Sequence, residues 1–170
     1  KMKQLLLDKI AKKEIKVGVI GLGYVGLPLA VEKAKAGFHT IGFDEQAVKV
    51  QMVNEGHNYI GDVVDKDLKR LVEEGYLAAT SDFAFIKDVD FIAICVPTPL
   101  DIHQEPDLSC VRDSTAEIAK HLKKNTIIVL ESTTYPGTTE ELVRPILEEG
   151  SGLTCGKDFY LGFSPEREDP

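Results

Sequence analysis

The stretch VGVIGLGYVGLPLA, residues 17–30, places Gly21, Gly23 and Gly26 between two apolar segments of different period. The segment before the glycines, residues 15–20, is mostly β-branched and apolar, which is typical of a strand buried on both faces of a parallel sheet. The segment after them, residues 24–36, has apolar side chains at helical spacing and precedes Gly37, a residue that favours a helix end. The stretch therefore predicts a buried strand, a tight glycine turn and a helix in direct succession.

Strand-like and helix-like segments alternate along the rest of the chain. Strands are predicted over residues 38–43, 77–80, 90–97, 126–132 and 159–163, and helices over 45–56, 65–74, 107–122 and 137–150. This order predicts an α/β fold with a doubly wound parallel sheet and helices on both faces, in three αβα layers. In such a sheet the carboxyl ends of the strands share one edge, where ligands bind.

The three glycines match the pattern GxGxxG in the context that this pattern requires. Gly21 would permit the tight turn, Gly23 would let a pyrophosphate approach the backbone, and Gly26 would let the helix and strand pack closely. The start of the helix would offer free N–H groups to the phosphates. Asp44 follows the second predicted strand, close to the spacing of about 20 residues at which a carboxylate binds the adenosine ribose. Together they predict a Rossmann-type dinucleotide site, and the carboxylate favours NAD over NADP because it repels a 2′-phosphate.

Composition and charge argue against other classes of partner. The formal net charge is -8, with 28 acidic and 20 basic residues, whereas a nucleic-acid surface needs a basic stripe. We expect no membrane span, since the apolar runs are shorter than the roughly 18 residues that one requires. Cys95, Cys110 and Cys155 have no metal-ligand spacing, so we expect no metal site and a reducing, cytoplasmic setting. Residues 1–14 are predicted to form an N-terminal helical extension and residues 15–170 the cofactor domain.

Five segments in order, GVIGLGYVGLPLA, GFDEQAVKV, AICVPTPL, ESTTYPGTT and FSPERE, carry a more specific signal. They resemble the NAD-binding N-terminal domain of the UDP-glucose/GDP-mannose dehydrogenase family. Within it they are most similar to the UDP-N-acetylglucosamine and UDP-N-acetylmannosamine 6-dehydrogenases, and they cover residues 15–170. The resemblance implies that the C6 hydroxymethyl of a UDP-hexose is oxidised to a carboxylate with two NAD, through a covalent thioester, for polysaccharide precursor synthesis.

The resemblance also implies roles for individual residues. Thr98 would lie under the cofactor, Thr133 near the reacting centre, and Thr139 at the cap of the last helix, facing the cofactor. Glu166 corresponds to the glutamate that handles water in thioester hydrolysis, which makes Thr133 and Glu166 the expected catalytic residues. The expected cofactor-binding residues are Gly21, Leu22, Gly23, Tyr24, Val25, Gly26, Asp44, Lys49, Val96, Pro97, Thr98, Thr133 and Thr139.

The residues alone leave simpler interpretations open. The threonines are also typical turn and cap residues, and Lys49 on a polar helix face is equally consistent with solvation. Glu131 could form a carboxylate pair with Glu166, which would raise one pKa, or could instead pair with Arg167 or Lys157.

The family's nucleophilic cysteine lies in domains that these motifs do not cover, and no cysteine of this chain matches it. We therefore expect the chain to be the cofactor domain of a longer enzyme, inactive alone, whose other domains meet the UDP-hexose and which forms homodimers or larger assemblies. Glu168 stands where the family usually has an apolar residue. Two other functions remain open: a non-catalytic NAD-sensing module and the cofactor domain of a hydroxyacid-type dehydrogenase. The ordered ESTTYPGTT and SPER segments favour the nucleotide-sugar enzyme.

Overall fold

The structure is a computed structural model that describes residues 4, 7, 14–61, 63–132 and 136–165, with the side chains of residues 132, 136–139 and 165 outside the description. The predicted extension over residues 1–14 therefore lies outside the described residues, apart from its residues 4, 7 and 14.

Six parallel strands form one sheet in the order β3-β2-β1-β4-β5-β6. This order confirms the predicted doubly wound Rossmann-type sheet, and the order reverses between β1 and β4, where such folds bind ligands. The strands are β1 (Val17–Ile20), β2 (Thr40–Phe43), β3 (Leu77–Thr80), β4 (Phe91–Ile94), β5 (Thr126–Ser132) and β6 (Phe159–Pro165).

Helices connect the strands and cover the sheet on both faces. They are α1 (Gly26–Lys35), α2 (Ala47–Asn54), α3 (Asp65–Glu73), α4 (Ser109–His121) and α5 (Pro136–Ser151), with a 3-10 helix over Phe83–Asp88. No helix within the described ranges has both the length and the apolar character that crossing a bilayer requires.

The hydrophobic core consists of two clusters, one on each face of the sheet. On one face, Val17 and Val19 of β1 pack with side chains of α1 and α3. On the other face, Ile92 and Ile94 of β4 pack with side chains of α4 and α5. All four residues of β1 are buried, because a central parallel strand meets helices on both sides.

Two sequence predictions that concern the edge of the sheet where ligands bind need correction. The strand predicted over residues 90–97 ends at Ile94, because Cys95 is the last residue here whose amide bonds to β1, through the Ile20 carbonyl, and Pro97 has no amide hydrogen. The predicted cap role of Thr139 is also wrong, because α5 already begins at Pro136 and Thr139 lies inside its first turn. Proline suits the first helical position, where its missing N–H costs no hydrogen bond.

Candidate cofactor site

The glycine turn follows β1 and leads directly into α1. Gly21 has φ +92°, and a Cβ on it would lie 2.9 Å from the Cys95 carbonyl oxygen. A Cβ on Gly26, the first residue of α1, would overlap the carbonyl oxygen of Gly21. The tight turn and close packing predicted for these two glycines are therefore present, and both glycines are required by the fold itself.

Gly23 has different surroundings. A Cβ built on it meets no heavy atom within 4 Å, and its φ lies outside the left-handed region. The described fold thus has room for a side chain at this position, so the missing side chain leaves space for something else. Val25, the residue just before α1, makes no side-chain cap hydrogen bond, and the first N–H groups of a helix have no partner within the helix. Bare backbone and helix-start amides fit the pyrophosphate of a dinucleotide.

A cleft opens in front of this turn, at the carboxyl ends of β1, β4 and β5. Its volume is about 450 Å³, within the range of about 300–1,000 Å³ that is usual for ligand pockets. Nine of the expected site residues line it: Gly21, Gly23, Tyr24, Val25, Asp44, Lys49, Val96, Pro97 and Thr98. Three further residues, Cys95, Pro99 and Glu131, complete the lining.

Leu22 and Gly26 do not line the cleft. Both are buried beneath it: the Leu22 side chain is fully enclosed by the core, and Gly26 packs against the Gly21 carbonyl and the Cys95 side chain. The expected catalytic residues Thr133 and Glu166, and the side chain of Thr139, lie outside the described residues.

Asp44 immediately follows β2 and faces the glycine turn. Its Oδ2 accepts a hydrogen bond from the Leu22 amide at 2.8 Å, and its Oδ1 accepts one from the Gln46 amide at 2.8 Å. A carboxylate has about four acceptor positions, so two remain for further donors. Asp44 therefore fits an acceptor for ribose hydroxyls while it also braces the turn.

A second pocket, of about 160 Å³, adjoins the cleft on the Asp44 side. It shares Gly21, Asp44, Lys49, Val96 and Pro97 with the cleft and extends to Phe83 of the 3-10 helix and to Cys110, Asp113 and Ser114 of α4. Sequence reasoning missed this extension, because Phe83 and the start of α4 carry no motif and reach Asp44 only through the fold. The two pockets together form a groove across the switch point of the sheet.

The cysteines of the groove do not have the surroundings of a nucleophile. Partial burial raises the pKa of the Cys110 thiol, and the carboxylates of Asp107, Glu45 and Asp113 raise it further. Cys95 is buried immediately after β4. In the described part of the chain, no group of three His, Cys, Asp or Glu side chains is arranged to hold a metal ion.

Known proteins are similar to this chain in sequence and in fold. A sequence profile of the UDP-glucose/GDP-mannose dehydrogenase family, NAD binding domain, matches residues 15–170. The UDP-N-acetyl-D-glucosamine 6-dehydrogenase of Salmonella typhi is 41% identical over 157 residues, which is 92% of this chain and 36% of that protein. The UDP-N-acetyl-D-mannosamine dehydrogenase of Pyrococcus horikoshii is 35% identical over 157 residues, 92% of this chain and 37% of that protein.

Solved structures agree with this assignment. A ternary complex of GDP-mannose dehydrogenase from Pseudomonas aeruginosa superposes with a TM-score of 0.84 at 30% identity, over 90% of this chain and 36% of that chain. The chain thus spans little more than a third of the length of the relatives that it matches. From its five ordered motifs, its sheet order and these matches, the chain belongs to the UDP-glucose/GDP-mannose dehydrogenase family and corresponds to its NAD-binding domain.

Proposed function

We propose that this chain is the cofactor domain, over residues 15–170, of an NAD-dependent nucleotide-sugar 6-dehydrogenase. The substrate would be a UDP-hexose, either a UDP-N-acetylhexosamine or UDP-glucose, oxidised at C6 from hydroxymethyl to carboxylate. The observation that supports this proposal best is the open space at Gly23, which faces Asp44 at the switch point between β1 and β4. Two similar proteins, at 41% and 35% identity, are named UDP-N-acetyl-D-glucosamine 6-dehydrogenase and UDP-N-acetyl-D-mannosamine dehydrogenase.

The groove would hold NAD in an extended arrangement. The backbone from Gly21 to Val25 would bind the pyrophosphate, and Asp44 with Lys49 would bind the adenosine ribose. The pocket beside Phe83 would take the adenine, because it adjoins Asp44 on the side away from Gly23. Bound NAD would supply the oxidising equivalents for the conversion of the sugar alcohol to the acid.

The remaining roles rest on the family resemblance. Thr133 would lie near the reacting centre, and Glu166 would handle the water that hydrolyses the thioester. The nucleophile and the residues that recognise the sugar would come from other domains of a longer protein, which would act as a homodimer or larger assembly. The three free cysteines suit a reducing cytoplasm.

A non-catalytic NAD-sensing module and a hydroxyacid-type dehydrogenase are the alternatives, and both would use the same groove. Glu131 at the far end of the cleft favours a reaction site over a simple sensor, because a carboxylate at a strand end can take part in proton transfer. The names of the family members favour a nucleotide sugar over a hydroxyacid.

The first test is a fluorescence titration of the chain with NADH and NADPH. We expect saturable NADH binding, weaker NADPH binding, and no detectable NADH binding by Gly23→Val, whose side chain would fill the space at the turn. In Asp44→Asn, NADH affinity should fall by about tenfold, the loss of one good hydrogen bond to a charged group, and NADPH should be less affected. Equal binding of NADH by the parent and Gly23→Val would disprove this placement of the cofactor.

The second test is turnover by the longer protein that carries this chain. Formation of NADH from NAD should depend on a UDP-N-acetylhexosamine or UDP-glucose and should yield two NADH per sugar. The 170-residue chain alone should bind NADH without turnover. Turnover with a hydroxyacid, or with none of these sugars, would favour one of the alternatives.

A further inference from the structure

The side chain, the amide and the carbonyl of Leu22 each contact a group that lies outside the glycine motif. Its side chain is fully buried and packs so closely on β2 that a Cβ on Gly42 would lie 2.6 Å from Leu22 Cδ2. Its amide donates to Asp44 Oδ2 at 2.8 Å, and its carbonyl oxygen accepts a hydrogen bond of 2.7 Å from the hydroxyl of Tyr59. Both backbone polar groups of Leu22 are thus bound by side chains.

The bond from Tyr59 also determines the direction of the next amide. The Leu22 carbonyl and the Gly23 N–H belong to one planar trans peptide unit, so they point in opposite directions. A carbonyl that is held towards Tyr59 turns the Gly23 N–H away from Tyr59. Gly23 lines the cleft, and within residues 14–61, 63–132 and 136–165 no backbone acceptor binds its N–H.

Tyr59 is itself fixed by a structured loop between α2 and α3. Asn58 organises this loop: its Oδ1 accepts from the Ile60 amide at 2.6 Å, and its Nδ2 donates to the Val63 carbonyl. The backbone N–H of Asn58 donates to Asp65 Oδ1 at 3.1 Å, which connects the loop to the start of α3. The Tyr59 ring packs against the core cluster of α1 and α3. The hydroxyl is therefore presented from a scaffold that does not depend on a bound ligand.

The hydroxyl remains a donor at neutral pH. Burial raises the pKa of Tyr59 well above its usual range, and the nearby carboxylate of Asp44 raises it further. The hydroxyl therefore keeps, at neutral pH, the hydrogen that it donates to the Leu22 carbonyl.

We propose that Tyr59 is a positioning residue for the cofactor: its hydroxyl locks the Leu22–Gly23 peptide so that the Gly23 N–H points at the pyrophosphate of NAD. This inference rests on the proposed binding of NAD at the glycine turn. A donor that is oriented before the ligand arrives increases affinity, because less ordering is required on binding.

The test compares Tyr59→Phe with Tyr76→Phe in the same chain. Both changes remove one hydroxyl and keep the ring, but Tyr76 stacks on His39 near the opposite edge of the sheet, at 4.9 Å between ring centroids. Two ligands are titrated, NADH and adenosine, since adenosine has the ribose and base but no phosphate. We expect Tyr59→Phe to weaken NADH binding by about 3- to 10-fold, the value of one hydrogen bond, with adenosine binding unchanged. Tyr76→Phe should bind both ligands like the parent.

A measurement on the parent protein alone keeps the proposal testable if Tyr59→Phe does not fold. In ¹H–¹⁵N spectra, NADH should shift the Gly23 amide strongly and slow its hydrogen exchange, whereas adenosine should not. A Gly23 amide that NADH leaves unperturbed would overturn the proposal. So would a folded Tyr59→Phe variant with parental NADH affinity, or one that loses NADH and adenosine affinity by the same factor.

These outcomes separate the inference from the proposed function. If the parent binds NADH and is blocked by Gly23→Val while Tyr59→Phe has no effect, only the role of Tyr59 is wrong. If the parent does not bind NADH, both proposals are wrong.

Discussion

Gly23 and Gly26 belong to the same turn, yet a methyl group added to each would meet different surroundings. At Gly26 the added carbon would overlap the Gly21 carbonyl oxygen, and backbone cannot move aside as a flexible side chain can. At Gly23 the added carbon would meet open space. One glycine therefore serves the packing of α1 on β1, and the other leaves room for a ligand.

The two alanine variants should separate stability from binding. Gly26→Ala should lower the free energy of unfolding by about 2 kcal/mol or more, as overpacking does. Gly23→Ala should leave it within about 0.5 kcal/mol of the parent but weaken NADH binding strongly. Urea denaturation gives the first quantity and fluorescence titration gives the second.

Gly162→Ala in β6 is the matched control. Its added carbon would make an ordinary contact of 3.8 Å with Val129, away from the cleft, so neither quantity should change appreciably. If Gly23→Ala were as unstable as Gly26→Ala, its glycine would be a packing residue and the open space would have no bearing on the cofactor.

At the scale of residues, the sequence predicts what is local. Gly21, Gly23 and Gly26 are identified by their spacing, because each role depends on neighbours in the same strand–turn–helix unit. Tyr59 is not identifiable in this way, since its partner Leu22 is 37 positions away and the loop that brings them together has no periodic pattern. A partly buried hydrogen bond between a loop side chain and a distant carbonyl leaves no signature in a single sequence.

At the scale of elements, apolar runs predict where the strands lie more accurately than they predict the residues at which the strands begin and end. β3 and β5 have the predicted bounds, whereas β1 and β2 begin two residues later than the predicted segments. Apolar residues extend beyond the hydrogen-bonded part of a strand, because the turns next to the sheet are also partly buried. An apolar run is therefore longer than the strand that it predicts. The 3-10 helix Phe83–Asp88 was not predicted, because its six residues are too few to display a helical period.

The pair Lys35–Asp67 joins two of these elements, the end of α1 and the start of α3, with 2.7 Å between Nζ and Oδ2. The hydrogen bond from Lys35 lowers the pKa of Asp67, and the positive charges of Lys35, Arg70 and Lys66 contribute further. A lowered folded-state pKa stabilises the fold above the ordinary aspartate pKa of about 4. This contribution is lost as the pH falls through the folded-state value.

Asp67→Asn should therefore be less stable than the parent at pH 7, and the difference should shrink as the pH falls below about 4. Both residues are partly exposed, so 1 M NaCl should also reduce the difference at pH 7. Urea denaturation of both proteins at pH 7 and pH 3.5, with and without salt, measures this. A difference independent of pH and salt would show that Asp67 acts through helix propensity or packing instead of through its charge.

At the scale of the whole molecule, the central strands connect the two hydrophobic clusters. Val19 of β1 contributes to the cluster of α1 and α3, while its neighbour Ile20 contributes to the cluster of α4 and α5. Ala93 and Ile94 divide in the same way in β4. Because the same strands contribute side chains to both clusters, loss of packing on one face of the sheet would also disturb the other face. We therefore expect the molecule to unfold as a single cooperative unit.

Leu147 in α5 provides a test of this coupling, because it is fully buried in the cluster of α4 and α5 and lines neither pocket of the cofactor groove. Leu147→Ala should lower the free energy of unfolding by about 2–5 kcal/mol. In native-state hydrogen exchange, the slowest amides of β1 and β2 should lose as much protection as those of β5. Leu71→Ala, in α3 on the opposite face, should have the reciprocal effect on β5. If Leu147→Ala affected only β5, β6 and their helices, the two halves of the sheet would be separate cooperative units, and the glycine turn would be stabilised by β1–β3 alone.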